Sequence, residues 1–440
     1  MFMMESHLSA HQSRVITQVQ AAAAESGVNV FLTGGALRDM LAGFPIVEID
    51  FTVEGHGIKL GKAVAAATGA QIVDTDENRK SVQMLFEGGV RGSIGMARQE
   101  KFAKPGGKPQ VQASTIHEDL RGRDFTINSI ALSLNAASKG LLLDPNNGVG
   151  DIERKELRTV TNFTLYDDPI RLLRLQRFKV RLGFTVGDRT LAQYANSREA
   201  ALETKIAPAA LLDELRRIAS EQNVGELVRI LDEEKLLSLF SSALAGPLVN
   251  LAGIVKLEKA KQLIPFGAEL QIEHLGVFLS VLTEKLTPQE KDAMVQRLGM
   301  DEVLAEQWLK IEARTKKLER ELKAPKLQKA SALYGVLSKA QGDQMLFLLV
   351  RSAERLVQDR IRNYFQKYLP MALEVTESDV LATGVAAGTP KYEKARAQLI
   401  ATRLDARPKK IPIPEPVVPE EPPPPPPPPP PTHAFARSNK

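Results

Sequence analysis

Apolar positions change rhythm along this chain near residue 165. Between 28 and 160 they gather in short runs rich in β-branched and aromatic residues, VNVFLTGG, IDFTVEG, AQIVDT, SVQMLFEGG and LRTVTNF, separated by glycine turns and helix-like stretches. Such runs predict strands, and the helical texture between them predicts an α/β or α+β head. From about Asp167 to Tyr368 the apolar residues recur at intervals of three and four, as in LLRLQRFKV, PAALLDELRRIA and QMLFLLVRSAERLVQDRIRNYF. That period predicts a nearly all-helical half. No repeat of about 20 to 50 residues is visible, so a solenoid is not expected. From Pro408 onward no pattern can bury a face, and the ten consecutive prolines Pro422 to Pro431 predict a polyproline spacer about 31 Å long at about 3.1 Å per residue.

Composition narrows the chemistry. The 440 residues are 43% hydrophobic and 25% charged, material for several packed units. Cysteine is absent and there are six scattered histidines, which removes disulfides, thiolate metal sites and cysteine nucleophiles and makes zinc an unsuitable ion. The opening MFMMESHLSAHQSRV lacks the pattern of a secretory leader, and no run of about 18 apolar residues occurs, so a cytoplasmic protein with no membrane partner is expected. A net charge of +5 suits a polyanion such as RNA without requiring one. Nothing in the sequence addresses oligomeric state.

Four stretches carry candidate chemistry. In FLTGGALRDMLAG a strand-like run ends at Gly34 and Gly35 and a helix-like segment follows with Arg38 in its opening turn. Paired glycines let backbone approach a phosphate, which the helix N-terminus and Arg38 then face, although a bare Gly-Gly also reads as simple turn chemistry. In VEIDFTV, Glu48 and Asp50 sit two apart on a strand and so share one side of the sheet. Two hard oxygens on one face suit Mg2+; alone, the pair equally reads as a solvated strand face. In IHEDLRGRDFTINSIAL, Arg123 and Asp124 precede an apolar segment carrying Asn128, either as a surface ion pair or as ligands of a triphosphate and a ribose hydroxyl. In LYDDPIRLLRLQRFKVRLGF, Asp168 and Pro169 have helix-start character, and Arg171, Arg174 and Arg177 follow at three-residue steps. Each step turns the helix about 60° short of a full turn. Asp168 and Arg171 can therefore jointly face a base, one acceptor with one guanidinium, while Arg177 serves another group or the RNA backbone; alone, the series equally reads as a basic face packed on the head by its leucines.

GGALRD, EID, EDLRGRDFTIN, LDPNNGVGDIERKELR and DDPIRLLRLQRF occur in the order and approximate spacing of class II tRNA nucleotidyltransferases (CCA-adding enzymes) and bacterial poly(A) polymerases, a family this chain resembles. TESDVLATGVAAGTPKYEKARAQLIATRLDA, residues 376 to 406, looks like the tRNA-gripping element of compact CCA-adding enzymes. The resemblance implies an α+β, polymerase-β-like nucleotidyltransferase head followed by an all-α neck, body and tail. Its expected limits are an N-terminal helical segment at 1–27, the head at 28–160, the neck at 161–245, the body at 246–370, the tail at 371–407 and a disordered proline-rich end at 408–440. It implies Gly34, Gly35 and Arg38 on the nucleotide, Glu48 and Asp50 as catalytic magnesium ligands, and Arg123, Asp124 and Asn128 at the triphosphate and ribose. Asp168 and Arg171 would read the base, and Arg174 and Arg177 match further nucleotide-binding arginines. The implied activity is magnesium-dependent addition of CMP and AMP, from CTP and ATP, to the 3′ end of tRNA. Partial CC or A addition, poly(A) synthesis and a catalytically weakened RNA-binding homologue are the alternatives. Basic segments Arg314 to Lys329 and Arg351 to Arg362 would help frame the RNA, or serve only as solvated helix faces.

The sequence departs from the family pattern at four places. Glu48 stands where aspartate is more common, Ser93 where a third carboxylate is usual, Gly122 where an arginine often precedes Arg123, and Ala209 and Ala210 where Glu and Arg are expected. A serine hydroxyl does not replace a carboxylate as base or metal ligand near neutral pH.

Overall fold

The computed structural model describes residues 7–265, 268, 270 and 272–406; the expected proline-rich end lies outside them. The first helix, α1 (Ala10–Glu25), opens with a capping box in which Ser9 and Gln12 satisfy each other's backbone N–H groups. Then follow β1 (Asn29–Thr33), α2 (Gly35–Ala42), β2 (Glu48–Glu54), α3 (Gly57–Thr68), β3 (Gln71–Asp76), β4 (Ser81–Leu85) and β5 (Arg91–Met96). A hairpin of β6 (Arg98–Lys101) and β7 (Gln110–Ala113) precedes α4 (Ile116–Arg121), β8 (Ala131–Ser133), β9 (Leu142–Leu143) and α5 (Gly148–Arg154). Seven strands form one mixed sheet in the order β3-β4-β5-β2-β1-β8-β9. Only β2 and β5 run parallel within it, and they pair Asp50 with Ser93.

One of the expected strands differs, and β5 is not among them. LRTVTNF contributes only Leu157 to the short β10 (Glu156–Leu157), which pairs in parallel with Thr185 and Val186, and then a single bridge from Thr159 to Phe125. RGSIGM, outside the expected runs, is β5, an inner strand of the sheet between β4 and β2. Its Gly92 is required there: a Cβ would lie 2.4 Å from the Ile49 carbonyl oxygen.

The helical half begins with the short α6 (Thr164–Asp167), α7 (Ile170–Leu182), α8 (Asp188–Glu199), α9 (Pro208–Ser220), α10 (Val224–Glu233) and α11 (Leu251–Lys261) and continues through further helices to Pro390–Asp405. Two large apolar cores hold the chain. The head core takes Val15, Ile16 and Val19 from α1 and Leu175, Phe178 and Leu182 from α7, so it extends on both sides of 28–160. The helical core takes Ile170 and Leu173 from α7 together with α9 and the helices after it. The two faces of α7 therefore lie in different cores, and the cleft between head and helices is lined by the polar residues of this same helix.

Candidate functional site

The cleft opens above the C-terminal end of β1. Gly34 adopts a left-handed backbone (φ 68°) between that strand and α2, and a Cβ there would meet Arg123 Nη1 at 3.2 Å. Gly34 and Gly35 line the cleft beside Arg38, as the sequence predicts. Arg38 is buried; its Nε donates to Asp39 Oδ1 and its Nη1 to Asn128 Oδ1, each at 2.8 Å, and it lies 5.0 Å from the centre of the Phe178 ring. Arg181 reaches back from α7 to the other Asp39 oxygen at 2.8 Å, tying the phosphate-type turn to the neck. These donors meet in a recess of about 220 Å³ that also contains Glu48, Asp50 and Arg217.

Glu48 and Asp50 alternate with buried Ile49 on β2 and share the cleft face. On the neighbouring strand Ser93 Oγ donates to Asp50 Oδ1 at 2.6 Å. The side chain expected to be a third acid is thus in the right place and is a hydroxyl. Among the described residues no cluster of three or more acidic or histidine side chains is arranged to hold a metal. Burial and the neighbouring Glu48 charge raise the Asp50 pKa above the ordinary carboxylate value, while Ser93, Arg217 and Arg123 act in the opposite sense without cancelling the rise. Two ionised oxygens held close together in a recess lined with phosphate-type donors are a donor set that fits a divalent cation.

The third stretch forms a connected network. Arg123 pairs with Asp119 Oδ2 at 2.8 Å and donates to Thr52 on β2 at 3.0 Å. Asp124 is buried, accepting from the Phe125 N–H at 2.7 Å and from Asn128 Nδ2 at 3.1 Å, with Arg174 at 2.8 Å from its other oxygen. Burial alone would raise its pKa, but Arg174 and Arg171, helped by these hydrogen bonds, hold it below the ordinary range. Asn128 lines the recess with both amide atoms engaged, linking Arg38 to Asp124.

Asp168 and Arg171 come together at the start of α7, 3.5 Å apart and mostly shielded. Arg171 also donates to the carbonyls of Thr164 and Gly122, each at 3.4 Å. The hairpin loop joins them from the head side, where the Gly106 N–H donates to the Asp167 carbonyl at 3.1 Å. Arg177 lines the same recess as Gly34, Gly35 and Arg38. Its guanidinium is 4% exposed and ion-paired with Glu214 at 2.6 Å and Glu221 at 3.1 Å, so its donors hold α9 against α7.

Several cleft residues were not legible beforehand. Asp74 and Gln83 continue the row of Ser93 and Asp50 across the sheet, since Asp74 pairs with Gln83 and Gln83 with Ser93. Arg79 and Arg98 clamp Glu100 at 2.9 and 2.7 Å; although burial opposes it, they bring the Glu100 pKa down to about 2. From α9 come Ala210, Asp213, Glu214 and Arg217, a spacing of three and four whose polar face PAALLDELRRIA did contain.

Comparison with known proteins agrees with this geometry. Residues 30–158 match the family model described as Poly A polymerase head domain. The A-adding tRNA nucleotidyltransferase of Geobacter sulfurreducens is 26% identical over 92% of this chain and 46% of its own length. The CC-adding tRNA nucleotidyltransferase of Deinococcus radiodurans is 34% identical over 46% of this chain and 52% of its own. The chain thus spans about half the length of the curated relatives it matches. An apo CCA-adding enzyme structure superposes with a TM-score of 0.54 at 22% identity, over 92% of this chain and 95% of that one. The resemblance carried by the five motifs is therefore met in a match of residues 30–158 to that head domain and in the fold, an α+β head followed by helices.

Proposed function

We propose that this chain is a template-independent RNA nucleotidyltransferase that adds CMP or AMP to the 3′ end of tRNA and releases pyrophosphate. The observation that carries the reading is a single cleft holding, in order, the Gly34–Gly35–Arg38 turn, the Glu48–Asp50 face and the Asp168–Arg171 pair. The recess donors bind and orient the triphosphate, Asp124 with Arg174 faces the ribose, and Asp168 with Arg171 matches the edge of the base. The RNA 3′-hydroxyl attacks the α-phosphorus, forming the new O–P bond as the bond to pyrophosphate breaks; Arg38, Arg123 and Arg174 offset the charge that develops on the leaving group. Glu48 and Asp50 would hold the divalent cation, magnesium by the hardness of its donors, which when bound neutralises phosphate charge. Ser93 offers no site for the hydroxyl proton, which leaves the two β2 carboxylates as its nearest acceptors.

The deciding experiment supplies labelled CTP and ATP, separately and together, with magnesium to tRNAs ending before CCA, after C and after CC. Incorporation of both nucleotides supports full CCA addition, ATP alone on tRNA ending in CC an A-adding enzyme, and CTP alone a CC-adding one. Long homopolymeric AMP tails would instead mark a poly(A) polymerase. Ser93 in place of a third acid favours one rival, an RNA-binding homologue with a weakened head; tRNA binding with no incorporation at any magnesium concentration would establish it. Arg171→Ala should blur the choice between CTP and ATP, and equal slowing with both nucleotides would remove the base-reading assignment.

A further inference from the structure

We infer that Arg217, on the neck helix α9, is a polyphosphate ligand that closes the nucleotide recess from the side opposite the glycine turn. The inference rests on the nucleotidyltransferase reading above. Arg217 lines the recess of Gly34, Gly35 and Arg38 and also the adjoining space around Asp168 and Arg171. Its position is set by the helix that carries it. Glu214, one turn earlier, and Glu221, one turn later, are both bound to Arg177, and Lys261 donates to the carbonyls of Ala219 and Glu221 at the end of the helix.

Charge accounting singles the residue out. The other arginines that line the cleft each have a carboxylate within ion-pair distance, among them Arg38 and Arg181 with Asp39, Arg123 with Asp119 and Arg174 with Asp124. On α9 itself Asp213 is taken by Arg216 at 3.0 Å and Glu214 by Arg177. Arg217 has no carboxylate within 4.0 Å among the described residues, and it is exposed to the cleft. A guanidinium with no carboxylate at ion-pair distance, although it acts on Asp50 across the recess, has the charge to take two phosphate oxygens beside the glycine turn. The placement also addresses one family departure. Ala210, where the resemblance leads one to expect arginine, lies on the same face of α9 two turns earlier. The cation on this face therefore stands where the phosphate recess meets the space around Asp168 and Arg171.

The test compares wild type with Arg217→Gln and Arg217→Lys. In transfer assays, Gln should raise the KM for CTP and for ATP alike by about tenfold to a hundredfold, the loss of one or two charge-assisted hydrogen bonds. Inhibition by pyrophosphate should weaken in parallel, the Kd for tRNA should stay unchanged, and Lys should recover part of the loss. Direct binding gives an independent reading: the advantage of ATP over AMP should shrink in the Gln variant while AMP affinity holds. An unchanged nucleotide KM and an unchanged ATP-to-AMP ratio would overturn the inference, as would a loss confined to tRNA affinity. If wild type transfers nothing, the proposed function falls, and the ATP-to-AMP comparison still decides Arg217.

Discussion

At the residue scale, Asp50 is a carboxylate kept at a cost. Its pKa is raised in the fold, with burial the leading cause and Glu48 the second. Below the unfolded value of 3.8 both states carry the proton and the site is neutral with respect to stability. As pH climbs through the raised folded value, the native state must ionise a group that the unfolded chain ionises more readily, so stability is lost and stays lost at neutral pH. Asp50→Asn keeps the acceptor for Ser93 and removes the charge. Without divalent cation it should melt above wild type at pH 7, and the gap should close as pH falls toward 4. Transfer should vanish while tRNA affinity is kept. Thermal unfolding with and without a chelator checks this, and an Asn variant no more stable than wild type would show that Ser93, Arg123 and Arg217 already compensate the charge. The identities of these residues were readable from GGALRD, EID and EDLRGRD. Their partners were not, because only the fold brings Asp124 beside Asn128 and Glu214 and Glu221 beside Arg177.

At the scale of elements, periodicity identified the helices and the strands of β-branched residues, whereas elements built on glycine escaped. The β6–β7 hairpin shows why: its loop KFAKPGGKP has no apolar rhythm, and its place depends on one contact. Gly106 (φ 66°) approaches the neck so closely that a Cβ would lie 2.3 Å from the Lys205 carbonyl oxygen. Gly106→Ala should cost about 1–3 kcal/mol of local stability. Trypsin should then cut faster after Lys101, which is exposed at the start of the loop, and an unchanged cleavage rate would mean that the loop is held by other contacts. A second element-level device is the buried ammonium of Lys261 at the end of α9. Burial lowers its pKa from 10.5 to about 8 against the pull of Glu221 and Glu258. Between those two values the unfolded chain binds a proton that the native state does not, so stability rises with pH at about 1.4 kcal/mol per unit. Measured against Lys261→Met in denaturant titrations, wild type should gain from pH 8 to pH 10; parallel curves would remove the assignment.

Over the whole molecule, the head and the helical half share α7. Leu175 lies in the head core and Leu173 in the helical one. The only tryptophan, Trp308, is buried in the helical core and reports on that half alone. Leu175→Ala should cost about 2–5 kcal/mol and should lower the unfolding midpoint seen by Trp308 fluorescence, although the lesion is in the head. A Trp308 transition that stays in place would mean that the two halves unfold independently. The basic segments expected to frame RNA divide in a way the sequence did not reveal. Arg360 donates to the carbonyls of Ala324 and Leu327, and Arg351 pairs with Glu284, while Lys316, Lys317 and Arg355 remain exposed. Interleaved acids made both outcomes readable from the pattern alone.

The shared helix also works as a gauge. Arg171 stands at its base-facing end, Arg174 holds Asp124 in the middle, and Arg181 grips Asp39 behind the glycine turn. Ten residues separate the first of these from the last, about 15 Å of rise at about 1.5 Å per residue. In the proposed reading, a nucleotide lying along α7 is sized against a rod clamped in two cores, with separate jaws at its two ends. Tolerance for a different base and tolerance for a different phosphate chain length can then drift independently in evolution, each by edits to one end. Lengthening or shortening the rod by a turn would unseat one jaw whichever end stayed aligned.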